Sequence, residues 1–300
     1  MKETRALGLG PVGLWTSYLD FQPAARVREA AAEIEELGYS SLWVGENVGR
    51  EVLAQAGVLL SATRRLVVAT GIANIWARDP VTTFAAQCTL AEAYPGRFLL
   101  GLGVSHARLV EGLRGHRYER PLSAMRQYLD AMDRAANVYR AVRPSPLPAR
   151  VLAALGSRML SLAGERAQGA HPYLVPPDHT AHAREVMGPG PWLMPEQAVV
   201  LESDSIRARE TARAHVARYL SLPNYLKNLR RLGFADDDFR DGGSDRLVDA
   251  LVAWGDEEAI NHRVQEHLDA GADHVCLQVL VSDRTRLPTE QWRVLASMGA

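Results

Sequence analysis

The chain has 300 residues, 47% of them hydrophobic, and a formal net charge of −1. That length and apolar content suit one large domain with a sizeable core, and the near-zero charge offers no basic field for nucleic acid or an anionic membrane surface. No apolar run approaches the ~20 residues a bilayer span needs, Met1–Arg5 leads into a strand without an apolar leader, and two cysteines, Cys88 and Cys276, are too few for a disulfide scaffold, so a cytoplasmic protein is expected.

Strands and helices alternate along the chain. A first strand is expected from Arg5 to Trp15. Pro23 then opens a helix that carries Val27, Ala30, Ala31, Ile34 and Leu37 on one face, and Gly38 ends it from the C′ position. Ser41–Glu46 and Leu66–Ile72 read as the second and third strands. Pro95-Gly96-Arg97 opens the fourth, Phe98-Leu99-Leu100-Gly101-Leu102-Gly103, an apolar run that suits a strand buried on both faces. Gly101 and Gly103 carry no Cβ, so another backbone or a flat ligand can approach them. Val151–Gly156, His171–Val175, Gln197–Glu202 and His274–Leu280 complete a set of eight. The joints Glu36–Leu42, Ala167–His171 and Asp269–Val275 each end a helix on glycine and enter a strand, a habit of β/α architectures. An α/β fold follows, a (β/α)8 TIM barrel formed by a single domain over residues 1–300. Two stretches depart from a minimal barrel. Arg143–Pro148 is a stiff, proline-rich connection. Residues 203–273 exceed one crossover and are expected to be a helical insertion between strands 7 and 8, either a lid beside the pocket or a surface elaboration.

Chemistry in such folds sits at the C-terminal ends of the strands. Ser105 and His106 follow the fourth strand there, and Glu46 and Asn47 follow the second. Glu46 reads equally well as a functional acid or as the partner of an arginine such as Arg50 or Arg78. Leu155-Gly156-Ser157-Arg158 closes the fifth strand and opens a helix, whose free N–H groups suit a phosphate; a plain N-cap by Ser157 is the alternative. Gly101-Leu102-Gly103 lacks the third glycine of a dinucleotide fingerprint. Gly103-Val104-Ser105-His106-Ala107 differs from a nucleophile elbow by its final alanine, so a serine hydrolase is a minor reading. His179 and His182 sit three apart on a predicted helix but lack a third ligand nearby, so no metal is expected. His215, His262 and His267 read as helix-surface residues, and Asp236-Asp237-Asp238 as a solvated loop or cap.

Several segments together resemble the luciferase-like flavin-dependent superfamily, in particular its branch that uses the deazaflavin coenzyme F420. They are Gly38–Glu46, Ala69–Asn74, Asp79-Pro80, Tyr94–Phe98, Gly101–Gly103 and Ala163–Ala170, in this order and spacing. The resemblance implies a cofactor ring across the C-terminal mouth of the barrel, supported by a bulge with a non-prolyl cis peptide at Gly71-Ile72. It places Asn74, Gly103, Ser105 and Arg158 beside the cofactor and the phosphate at Leu155-Gly156-Ser157. In one branch of the family a histidine after the acid of the second strand is catalytic; Asn47 stands at that position here. His106, in the place of an acid on the fourth strand, then becomes the proton carrier, with His171 as second choice. Trp15, Trp76 and Leu174 are candidate apolar walls. The function implied is hydride transfer between F420 and a small-molecule substrate. An FMN-dependent monooxygenase is the alternative within the family, and a non-catalytic ligand-binding member the alternative from another class. A homodimer through the helices at Val52–Leu60 and Thr82–Tyr94 is also implied.

Overall fold

Phe98–Gly103 forms an unbroken strand with every residue buried (β5), the middle of a sheet whose hydrogen-bonded pairs are all parallel. This computed structural model describes residues 7–283 and 285–299. The other strands are β1 (Val12–Thr16), β2 (Ser41–Val44), β3 (Val67–Thr70), β4 (Ala73–Asn74), β6 (Arg150–Leu152), β7 (Gly169–Ala170), β8 (Trp192–Leu193), β9 (Glu196–Leu201), β10 (Val252–Gly255) and β11 (Val275–Val279). Their order is β10-β9-β11-β1-β2-β3-β5-β6-β7-β8, with β4 paired to β5. Residues Arg5 and Ala6 of the expected first strand lie outside the described residues.

The sheet is curled. Trp15, Trp43, Val67, Leu99, Val151, Trp192 and Cys276, from seven strands, share one buried cluster. Laid flat, the row from β11 to β8 would be roughly 34 Å wide at strand spacing. Residues 192–196 hydrogen-bond on both sides. On one side Met194 and Glu196 N–H donate to Ala170 and Pro172 carbonyls at 2.9 and 2.8 Å. On the other, Asp273 and Cys276 N–H donate to Leu193 and Pro195 carbonyls at 2.8 and 2.9 Å.

Helices pack on the outer face. α1 (Ala24–Glu36) buries Val27, Ala30, Ala31 and Ile34 of the stripe expected from the sequence, while Leu37 lies just past the helix and is half-buried, and Gly38 follows with φ +91°. The next helices are α2 (Val52–Ser61), α3 (Pro80–Ala93), α4 (Ala107–Gly112), α5 (Pro121–Ala135), α6 (Ser157–Arg166) and α7 (Pro177–Met187). Among the described residues no helix is long and apolar enough to cross a membrane. Cys88 and Cys276 are free and buried.

Four expectations need correction. The strand at His171–Val175 is instead β7 at 169–170, because Pro172 lacks an N–H and Leu174 takes φ +53°. The seventh strand starts one residue earlier, at Glu196, and is preceded by β8. The stretch 203–273 holds α8 (Ser205–Val216), α9 (Pro223–Arg231), a 3-10 turn at Asp236–Gly242, α10 (Asp245–Leu251) and α11 (Glu257–Asp269), but also β10 on the sheet edge, a four-residue strand too short for its periodicity to stand out. Finally, His215 and His267 are buried, not on the surface. Ile260, Val264 and His267 share the inward face of α11 at helical spacing. The His267 ring bonds Thr180 Oγ1 and Gln197 Oε1, both at 2.8 Å, and burial pushes its pKa down to about 3.

Candidate active site

The C-terminal ends of β2, β3, β5 and β6 form a half-buried mouth. The Gly71–Ile72 peptide is cis, as the resemblance implied. Its frame is tied in place: Gly71 N–H donates to the Val44 carbonyl at 2.7 Å, and Trp15 Nε1 donates to the Gly71 carbonyl at 2.9 Å. The glycines of β5 serve this bulge. A Cβ on Gly101 would lie 2.0 Å from the Thr70 carbonyl oxygen, and one on Gly103 2.4 Å from Ile72 Cδ1. So the close approach anticipated at these glycines is made by the chain itself.

Glu46 is fully engaged. Oε2 accepts from Asn74 N–H at 2.7 Å and Arg78 Nη1 at 2.9 Å, while Oε1 accepts from Arg78 Nη2. The two side chains are 5% and 10% exposed, and Arg78 also pairs with Glu51 at 2.6 Å. Burial alone would lower the Arg78 pKa, but the Glu46 and Glu51 contacts reverse this and raise it. Of the two readings of Glu46, its geometry is that of the arginine partner. Asn74 is buried and caps the turn by accepting from Trp76 N–H at 3.0 Å; Asn47 is exposed.

Ser105 sits in the left-handed region at φ +55°, where side chains are uncommon and functional sites are over-represented. His106 follows it as the residue before α4. There α9 meets it: the Tyr225 ring lies 5.8 Å from the imidazole. Burial lowers the His106 pKa, and the Asn224 amide on α9 opposes that shift.

The same helix reaches the phosphate-ready turn. α6 starts after Gly156 with no side-chain cap, so its first N–H groups remain for another acceptor. The Ser157 hydroxyl pairs with His182 Nε2 at 3.0 Å instead of capping. A Cβ on Gly156 would sit 3.4 Å from Arg231 Nη1, which places the last residue of α9 against this turn. Arg158 is exposed, and Leu155 is half-buried. His179 Nε2 donates to the Leu155 carbonyl at 2.9 Å, so His179 and His182 are engaged separately. Among the described residues no His, Cys, Asp or Glu cluster has the makings of a metal site.

His171 lies beneath the mouth. Nδ1 donates to the Met194 carbonyl at 2.7 Å, which fixes the tautomer and leaves Nε2 a bare, unpartnered acceptor. Its ring stacks on Trp43 at 4.4 Å. Burial, reinforced by His274 and opposed by the Met194 carbonyl, pushes its pKa down to about 4. A buried neutral ring of this kind is poorly placed to carry protons to solvent.

Sequence reasoning missed Glu196, Tyr173, Asn224, Tyr225 and Arg231. Glu196 is fully buried; Oε2 accepts from Leu174 N–H at 2.8 Å, Oε1 has no partner, and burial pushes its pKa up to about 8. Tyr173 packs 5.3 Å from Trp15 and donates to Gln278 Oε1 at 2.6 Å. An acid entering the apolar run 196–201 after Pro195 was a legible signal for Glu196; the α9 residues had none.

A family model for luciferase-like monooxygenases matches residues 7–274. A protein of Mycobacterium tuberculosis described as a coenzyme F420-dependent oxidoreductase is 33% identical over 119 residues, which are 40% of this chain and 34% of that protein. Among solved structures, a coenzyme F420-dependent tetrahydromethanopterin reductase from Methanopyrus kandleri superposes with a TM-score of 0.76 at 16% identity, covering 97% of this chain and 98% of the other. The oxygenating constituent of 3,6-diketocamphane monooxygenase from Pseudomonas putida, solved with FMN, gives 0.69 at 15% identity, covering 97% of each chain. Both structural likenesses are likenesses of fold. The match over 7–274 spans most of the chain, which belongs to the luciferase-like monooxygenase family.

Proposed function

We propose that the protein is an F420-dependent oxidoreductase that transfers a hydride between the deazaflavin and a small organic substrate. The observation that carries this reading is the half-buried run Gly71–Ile72, Val104–His106 and Leu155–Ser157. It joins a proton-carrying imidazole at one point to an uncapped helix start beside Arg231 at another. These residues fit a flat ring with a phosphate-bearing tail. The N–H groups of Ser157 and Arg158, with the Arg231 guanidinium, would hold the phosphate; Gly71 and Ile72 would support the ring. Bound F420 supplies a two-electron hydride carrier, with carbon in place of the flavin N5, that reacts poorly with oxygen. The chain's part is to orient the substrate, exclude water with Trp15, Tyr173 and Tyr225, and move a proton at His106. Glu46 acts on Arg78 and the Asn74 turn, not on the reacting atoms. The preference for F420 over FMN is supported by the 33% identical relative.

Three structural readings accompany this one. The residues from β8 to β9 act as one interrupted strand that closes an eight-strand (β/α)8 ring, as the hydrogen bonds on both sides of residues 192–196 support. The whole chain is one domain, and the stretch 203–273 is an insertion whose α9 covers the mouth. A homodimer through α2 and α3 fits their small, apolar sequences.

Titrating the purified protein with F420 and with FMN tests the assignment. F420 is expected to bind more tightly, and sub-micromolar FMN binding with no F420 binding would overturn it. His106→Ala should reduce turnover by about 10²–10⁴, as loss of acid–base help does, with F420 affinity within a few-fold of wild type.

A further inference from the structure

Side chains alternate along β11, so Gln278 shares a face with Cys276, which belongs to the cluster buried inside the curled sheet. The Gln278 amide is held in one orientation. Tyr219 Oη donates to Tyr173 Oη at 2.9 Å, and Tyr173 donates its only proton to Gln278 Oε1 at 2.6 Å. The amide oxygen therefore faces Tyr173, and the amide nitrogen faces away from it. That Nε2 has no hydrogen-bond partner among the described residues, although Gln278 is only 4% exposed. It opens on a cavity of about 680 Å³ at the C-terminal ends of β1, β9 and β11, lined also by Tyr18, His215 and Leu280. We propose that this cavity is a binding site for the uncharged oxygen of a small organic substrate, a carbonyl or hydroxyl group, and that Gln278 recognises it by donating from Nε2.

The volume is of the size that holds small molecules, and the strand ends are where such folds bind them. The cavity shares a wall with the ring seat proposed above: Tyr173 packs 5.3 Å from Trp15, whose Nε1 donates to the Gly71 carbonyl. A buried amide donor without an acceptor is costly, and a ligand oxygen removes that cost. Charge narrows the class. Among the described residues three arginines and four acids line the cavity, and Arg207 pairs with Glu202 at 3.1 Å. No surplus positive charge awaits a carboxylate or a phosphate, and the donor on the inner wall is neutral, so an uncharged acceptor is the better fit. The proposal names a substrate class for the F420-dependent reading and rests on it.

The test is ¹H–¹⁵N NMR of the full-length, ligand-free protein labelled with ¹⁵N-glutamine and titrated with cyclohexanone, cyclohexanol or cyclohexanecarboxylate. The Gln278 side-chain amide is assigned from its loss in Gln278→Met, a variant of similar volume without the donor. Both uncharged probes should shift this amide at millimolar concentrations, and the carboxylate should not. The buried amides of Gln55, Gln87 and Gln197 lie outside the cavity and should stay in place. Cyclohexanone affinity, read by saturation transfer to the ligand, should fall about three- to tenfold in Gln278→Met, the worth of one hydrogen bond. Tyr173→Phe frees the amide to turn over and should weaken the same probe about twofold or more. A Gln278 amide that neither uncharged probe moves, a stronger response to the carboxylate, or an unchanged cyclohexanone affinity in Gln278→Met overturns the proposal. Failure of the functional reading shows separately, as absence of F420 binding to the wild type.

Discussion

Replacing Glu196 with glutamine should leave stability unchanged near pH 4.5 and raise it progressively toward pH 8. In the folded protein the carboxyl is fully buried and its pKa is pushed up to about 8, although the Leu174 N–H bond pulls the other way. In the unfolded chain it ionises near its ordinary value of 4.5. Between those values the folded state holds a proton that the unfolded state has lost. Stability therefore falls as pH rises through this window and is fully present below it. At 1.36 kcal/mol per pH unit the loss has a ceiling of about 5 kcal/mol. Glutamine keeps an acceptor for Leu174 N–H and nearly the same shape, and has no proton to lose. Urea unfolding of the ligand-free protein, followed by tryptophan fluorescence from pH 4.5 to 8, should show the variant gaining on wild type by about 3–5 kcal/mol at the alkaline end. A difference that stays constant with pH would mean the carboxyl ionises at its ordinary value, and the argument from burial would fail.

The acid side should behave in the opposite sense: His171, His179 and His274 are depressed to about 4, and His267 to about 3, chiefly by burial. Their contribution is complete above pH 6.5 and is lost as pH falls toward 4, so urea midpoints should drop across that range and His267→Gln should flatten the drop. Arg78→Met strands the Glu46 carboxylate and should destabilise by about 3–5 kcal/mol, whereas Arg78→Met with Glu46→Leu should cost clearly less than the two single changes together; strict additivity would mean the pair is not coupled. Arg231→Ala should weaken F420 binding about tenfold or more through loss of a charge-assisted contact, read by fluorescence titration, and an unchanged affinity would remove Arg231 from the anion site.

Much of the fold was legible because its signals are local. The apolar run of β5, the α1 stripe and the glycine after it depend on residues within a turn or two of each other. The ends of strands were less legible, since Pro172 and Leu174 break β7 while tertiary hydrogen bonds keep its neighbours in register. His267 was misplaced because a polar residue on a helix reads as exposed until its partners, Thr180 and Gln197, are known to lie 87 and 70 positions away. The site divides in the same way. His106 and Gly156-Ser157 follow strands and were found from that placement, whereas Gly71-Ile72 was indicated by the family resemblance. Asn224 and Arg231 reach the mouth only through the path of the chain after β9, which no local pattern encodes.

The mouth also gathers features that a core built for stability alone would not keep. Six buried polar side-chain atoms among the described residues lack partners, and three of them, His171 Nε2, His179 Nδ1 and Glu196 Oε1, belong to residues in or beside the walls of this end of the sheet. Ser105 and Leu174, two of the four non-glycine residues at positive φ, sit on the turns that leave β5 and β7 here. Each such feature costs about 1–3 kcal/mol, and apolar replacements of similar volume are often neutral or stabilising. Unrelated defects would be scattered over the molecule. On the function proposed above, the gathering of half of them near His106, Gly71–Ile72 and the α6 start is what selection for chemistry would produce. The same logic makes Glu196→Gln informative twice: a variant that is more stable at pH 8 and also less active would show that the buried acid is kept for function at the expense of stability.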